Sequence, residues 1–277
     1  MKNLRAVAVA LAALVVLAIF PGAALAQAPI GVLGITAEIA PIERRLQNSR
    51  EVDVHGYVFH TGTLDGRQVV VGRSAAGKVN AAIAATLLIT NFNPTTILFS
   101  GTAGAVDPAL RPGDVVIGAT VVQHDVGLQT ASGIARHGPR NGVTGEMDPL
   151  SVPAPPALLA AARQSASGLT LPPINTSDGT RVPKIVEGVI VTGDVFMSDT
   201  GRREELRSTL GATAIEMEGA AVVQTCRQFS VSCLVVRSVT DQADGRALTN
   251  YVQFIAPASE NAAALVEAII GHLEQAR

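Results

Sequence analysis

Residues 216–241 read EMEGAAVVQTCRQFSVSCLVVRSVTD, and the fold turns on how that stretch is parsed. Residues 218–229 carry a helical apolar spacing, and residues 231–236 form a short apolar run of strand type. Carboxylates mark the ends of both: Glu216-Met217-Glu218 opens the helix, and Arg237-Ser238-Val239-Thr240-Asp241 follows the strand. Either group alone is compatible with local structure, since Glu complements the dipole of a helix start and Asp caps turns. Together they place acids at two element ends of one α/β unit, where a cleft can form.

Outward from this unit, the same alternation recurs. Apolar runs at 31–35, 68–72, 95–99, 114–123 and 185–191 interleave with helical patterns at 38–47, 78–90, 203–210 and 259–275. That order predicts an α/β fold with a largely parallel or mixed sheet covered by helices on both faces. Residues 127–182 are rich in Gly, Pro, Ser and Asn, with one helix-like stretch at 157–164; they read as a loop-rich excursion on the sheet's rim.

The chain has 277 residues. Its start combines Lys2 and Arg5, an apolar run over 6–20, a Pro21-Gly22 break and Ala24-Leu25-Ala26. This is the pattern of a secretory signal peptide cut after Ala26, which predicts a secreted or periplasmic protein with one domain over 27–277. The run falls short of the ~20 apolar residues of a spanning helix, so no stable membrane anchor is expected. Removing Lys2 and Arg5 takes the net charge from −2 to −4, and aromatics make up 3% of the chain. Nucleic-acid binding is disfavoured by both. Cys226 and Cys233 are the only cysteines; the compartment permits a disulfide, but their apolar settings favour two buried, unpaired thiols.

Several short segments carry chemistry. Gly72-Arg73-Ser74-Ala75-Ala76-Gly77-Lys78 has the glycine and lysine spacing of a phosphate loop, but Val79 stands where Ser or Thr must hold magnesium. The glycines read instead as tight-turn positions. Ser100-Gly101-Thr102-Ala103-Gly104 follows a predicted strand and suits either a plain turn or a site for an anion, a water or a sugar hydroxyl. Phe196 and Met197, side by side after another strand, fit a sandwich around a planar base or simple core packing. His124-Asp125 suits a ligand or a surface turn; with five His and no spaced partners, no metal site is predicted.

Taken together, residues 30–42, Ser74 to Val79, Gly101-Thr102-Ala103-Gly104, Gly193-Asp194-Val195-Phe196, Glu216-Met217-Glu218, and Arg237 to Asp241 with Ala243-Asp244 resemble the nucleoside phosphorylase and hydrolase superfamily. The resemblance is closest to its 5′-methylthioadenosine/S-adenosylhomocysteine nucleosidase branch. It implies a three-layer α/β/α sandwich around a twisted mixed sheet, a homodimer with sites near the interface, a small nucleoside substrate and no cofactor. By the same resemblance, Glu38 activates the attacking water with Thr102 beside it, and Asp241, next to Thr240, delivers a proton to purine N7. Glu218 binds the ribose hydroxyls, Met217 lies beneath the sugar and Phe196 against the base, and Arg237 organises the carboxylates with Glu216 nearby. Two departures stand out: the turn from Gly34 to Glu38 is one residue shorter than the family's usual opening, and Thr240 replaces a usual Ser.

Two rival functions follow. Phosphorylases of this superfamily carry an Arg two residues before the Gly-[Ser/Thr] turn, because a phosphate dianion needs a charged partner; Phe99 stands there. A nucleoside-binding protein without turnover is the other rival, since fold does not fix function, but a pure binder has no need of an acid and a base.

Overall fold

The computed structural model describes residues 28–177 and 179–273, so the signal peptide expected at 1–26 lies outside the described residues. The chain opens with β1 (Ile30–Ile35) and α1 (Thr36–Arg45), then a hairpin of β2 (Gln47–Val54) and β3 (Tyr57–Leu64), β4 (Arg67–Ser74) and α2 (Lys78–Phe92). β5 (Thr96–Ala105) and β6 (Val115–Gln123) lead into β7 (Gly127–Thr130), β8 (Gly133–Arg136), β9 (Ser151–Pro153), α3 (Pro156–Gly168), β10 (Ile174–Thr176) and β11 (Gly179–Arg181). The chain then returns to the sheet through β12 (Ile185–Thr192), α4 (Thr200–Leu210), β13 (Ala212–Glu216), α5 (Gly219–Gln228), β14 (Ser232–Asp241) and α6 (Ala247–His272).

Among the described residues, ten strands make one mixed sheet ordered β13-β12-β6-β14-β5-β1-β4-β3-β2, with β9 on β6. β13 also pairs with β5 through Ala214 with Ala105 and Ile215 with Gly104. The strands β13, β12, β6, β14 and β5 therefore close on themselves at one end of the sheet. This closure draws the ends of β5, β13 and β14 together, with Glu216 at the end of β13 and Asp241 at the end of β14.

Helices α2 and α5 cover one face and pack on each other; α1, α3 and α6 cover the other. Leu88, Ile89, Phe99 and Val222 belong to the first core, and Leu98, Leu234, Leu265 and Ile269 to the second. Each such side chain contributes about 1.5–3 kcal/mol when fully buried. Strands β5 and β14, buried on both faces, read as the near-continuous apolar runs expected of central strands.

Three elements depart from the sequence reading. The Ser100 to Gly104 segment is not a turn: β5 continues through it, paired with β14 in step as far as Ala103 opposite Val239, with a bulge before Asp241 meets Gly104. The β2–β3 hairpin carries no strong strand signal, yet His55 and Gly56 both take positive φ, as do Asp65 and Gly66 at the next turn; such pairs fit the turns that match strand twist. The last helix begins at Ala247 rather than 259 and passes through Pro257. A proline inside a helix costs about 3 kcal/mol, which the burial of Phe254, Ala258, Ala262, Leu265 and Val266 offsets. By length and composition α6 is apolar enough to cross a membrane, but its buried face packs on β14, β5, α1 and α3. The 127–182 excursion holds α3, two small hairpins and the edge strand β9.

Candidate active site

Glu38 lies in the first turn of α1, which starts at Thr36 directly from β1. Glu38 is therefore carried on a helix rather than on a loop, and the Thr102 hydroxyl on β5 donates to Glu38 Oε1. The carboxyl is 2% exposed, and its Oε2 has no protein partner. Burial raises its pKa, against the opposing pull of Arg237.

Arg237, fully buried on β14, organises the floor. Its Nε and Nη2 donate to Glu216 Oε2 at 3.2 and 2.6 Å, and Nη2 lies 3.7 Å from Glu218 Oε2. The guanidinium stacks 4.1 Å from the centroid of Phe99, an aromatic face that favours a cation. Its Nη1 has no protein partner. Gly101 separates Nη1 from Glu38 Oε2, and a Cβ there would collide with both. Glycine thus leaves a donor and an acceptor facing the same small space.

Glu216 ends β13 with both oxygens engaged. Oε2 also accepts from the Glu218 and Gly219 amides at 3.1 and 2.7 Å, and Oε1 accepts from the Thr192 hydroxyl. It lines the cavity, but its oxygens are taken up by Thr192, Arg237 and the start of α5. Glu218 sits just before α5, and its Oε1 accepts from the Gly77 amide at 2.8 Å. Gly77 has φ +94°, a conformation glycine adopts without strain. Burial and the neighbouring Glu216 push the Glu218 carboxyl up to about 7, with Arg237 opposing.

Asp241 ends β14. Its Oδ1 accepts from the Ala243 amide and its Oδ2 from the Thr240 hydroxyl, both at 2.8 Å. Burial raises its pKa above the usual aspartate range despite these two donors. A carboxyl that holds its proton closer to neutrality can deliver it.

These groups line one cavity of about 190 Å³ with Thr102, Phe196, Met197, Met217 and Thr240. Phe196 stays 41% exposed at its mouth, while Met197 is buried. Every predicted cavity residue is brought here, with Arg237 immediately beneath. The sequence reading missed Ile35, Ile215, Leu248 and Tyr251 as lining residues. Tyr251 meets Phe196 edge-on with centroids 5.8 Å apart. No motif marks these residues; only the early start of α6 places two of them.

The other segments resolve differently. Lys78 Nζ donates to Asp125 at 2.7 Å and to Gln123 at 3.3 Å, so the phosphate-loop lysine is committed to an ion pair. His124 is buried against Gly193, and neither ring nitrogen has a protein partner. Cys226 and Cys233 are buried free thiols. Among the described residues no group of three or more His, Cys, Asp and Glu converges as for a metal.

A raised acid, a second buried carboxyl with one free oxygen, and an apolar, aromatic-edged cavity between them make an α/β enzyme site suited to splitting a sugar–base bond. Residues 29–271 match the model of the Phosphorylase superfamily, and the chain belongs to that family. It is 36% identical over 248 residues to a 5′-methylthioadenosine/S-adenosylhomocysteine nucleosidase of Psychromonas ingrahamii, covering 88% of this chain and 99% of the relative. A crystal structure of the enzyme so named from Neisseria meningitidis, in complex with methylthio-immucillin-A, superposes with TM-score 0.76 at 30% identity, covering 89% of this chain and 100% of that one. The native structure of futalosine hydrolase of Helicobacter pylori superposes with TM-score 0.75 at 30% identity, covering 90% and 99%.

Proposed function

We propose that the protein is a purine nucleosidase that hydrolyses the N-glycosidic bond of an adenine nucleoside such as 5′-methylthioadenosine or S-adenosylhomocysteine, releasing adenine and the sugar. The observation that carries this reading is that Glu38 Oε2 and Arg237 Nη1, both without a protein partner, face one space beside Gly101, next to the cavity that the raised carboxyl of Asp241 lines.

In this reading each step falls to a named group. The nucleoside's base lies against Phe196 with its N7 toward Asp241, and Glu218 accepts from the ribose hydroxyls. As the bond from C1′ to the base breaks, the base takes the Asp241 proton and positive charge builds on the sugar, beside Glu38 and Glu218. Water held by Glu38, Thr102 and Arg237 adds to C1′ and gives its proton to Glu38. Asp241 ends ionised and Glu38 protonated; exchange with solvent restores both. The Phe99 ring beneath Arg237 takes the place of a phosphate-binding arginine, which supports water over phosphate.

Purified protein incubated with the two nucleosides should release adenine at the same rate with and without phosphate. Activity that appears only on adding phosphate would make it a phosphorylase, and binding without base release would make it a binding protein. The leader pattern at 1–26 supports export with cleavage after Ala26, checked by cell fractionation and N-terminal mass. Exposed Val79, Ile83 and Phe229 along α2 and after α5 support a homodimer, checked by light scattering.

A further inference from the structure

The proposed chemistry uses every polar group of the cavity wall except one. Glu38 and Thr102 hold the water, Glu218 takes the ribose hydroxyls, Asp241 and Thr240 serve the base, and Glu216 is occupied by Arg237 and α5. Tyr251 remains. It is half-buried on α6, three residues after Leu248, and its ring is fixed edge-on against Phe196. No described residue hydrogen-bonds its hydroxyl.

A bound nucleoside presents four directions to the cavity: the base, the C1′ face open to water, the 2′ and 3′ hydroxyls, and the 5′ carbon. The first three are taken by the residues just named. The lining side chains left for the 5′ substituent are those of Ile35, Ala76, Val195, Ile215, Leu248 and Tyr251, of which Tyr251 alone is polar. Leu248 is 65% exposed, so this side opens to solvent and can admit substituents of different length. The wall is apolar apart from the phenol. Burial, followed by the negative charges of Glu38, Glu218 and Asp241, pushes that phenol up to about 12, so it remains a proton donor throughout the working range.

Resting on the nucleosidase reading, we propose that Tyr251 is a specificity-determining residue that donates a hydrogen bond to an oxygen on C5′ of the substrate. The consequence is a substrate class wider than thioethers: adenine nucleosides with a 5′ oxygen, adenosine itself included, are bound and turned over. A thioether sulfur is a weak acceptor and gains little from the phenol, whereas a hydroxyl oxygen is a good one. Ile35 and Leu248 offer either substituent the same apolar contact.

The test is Tyr251→Phe, which keeps the ring and its packing on Phe196. Kd and kcat/KM are measured for adenosine and for 5′-methylthioadenosine with wild type and variant, with melting temperature recorded to confirm folding. One neutral hydrogen bond corresponds to about fivefold, so the variant's preference for adenosine relative to 5′-methylthioadenosine should fall about fivefold in kcat/KM, and its Kd ratio should move the same way. An unchanged ratio, whether both substrates are affected equally or neither is, overturns the proposal. If wild type binds the nucleosides but cleaves neither, the hydrolase reading fails while the Kd ratio still decides the role of Tyr251. Failure to bind either nucleoside overturns both.

Discussion

Glu218 makes a measurable prediction about stability as well as catalysis. Its carboxyl is pushed up to about 7 from an ordinary value of 4.5, first by burial and then by Glu216. A raised carboxyl stabilises the fold fully below its unfolded value, and that contribution is lost as pH rises through its folded value. The window here runs from about 4.5 to about 7, and the gap corresponds to about 3 kcal/mol. Glu218→Gln removes the titration and keeps the shape, since the amide oxygen can still accept from the Gly77 amide. The stability of the variant relative to wild type should therefore increase by about 3 kcal/mol between pH 4.5 and pH 8. For a domain of this size that is roughly 6–12 °C in the difference between melting temperatures. Thermal unfolding of both proteins at half-unit pH steps measures it, and the subtraction cancels every other titrating group that the substitution leaves alone. At pH 8 the more stable variant should bind nucleoside more weakly, because a charged acceptor for the ribose hydroxyls has become neutral. A difference between the two proteins that does not change with pH would refute the reasoning.

Other perturbations address the remaining groups. Gly101→Ala should cut turnover at least 10²-fold, because the added methyl enters the space between Glu38 Oε2 and Arg237 Nη1; steady-state kinetics with a far-UV spectrum separates this from misfolding. Arg237→Met should cost about 3–5 kcal/mol in urea unfolding, since it strands Glu216 beside Glu218 without a cation. The rate should follow a bell in pH: it rises as Glu38 ionises above its burial-raised value and falls as Asp241 loses its proton at high pH, both limbs shifted upward from ordinary carboxylates. A profile flat from pH 5 to 9 would contradict the paired roles.

Much of the fold was legible because the sheet's central strands are apolar on both faces. The runs at 31–35, 68–72 and 185–191 sit inside β1, β4 and β12. Strand β14 was cut short at Val236 because Arg237 and Asp241 read as polar ends; both are buried, one stacked on Phe99 and the other capped by Ala243. The start of α6 was hidden by Pro257, and Leu248 and Tyr251 were hidden with it. The site's acids were legible through resemblance. Their division of labour was not: that Glu216 is saturated while Glu38 and Arg237 each keep one free atom depends on the closure of β13 against β5, which no local pattern encodes.

The central claim is that Asp241 gives the base its proton and Glu38 takes one from water. Adenine release from 5′-methylthioadenosine in phosphate-free buffer, measured alongside the Kd of an adenine nucleoside analogue for wild type, Asp241→Asn and Glu38→Gln, tests it most directly. The account predicts turnover by wild type, a loss on the order of 10²-fold or more in each variant, and a Kd that stays within about tenfold. Turnover at the wild-type rate by either variant, or release by wild type only when phosphate is added, would contradict it.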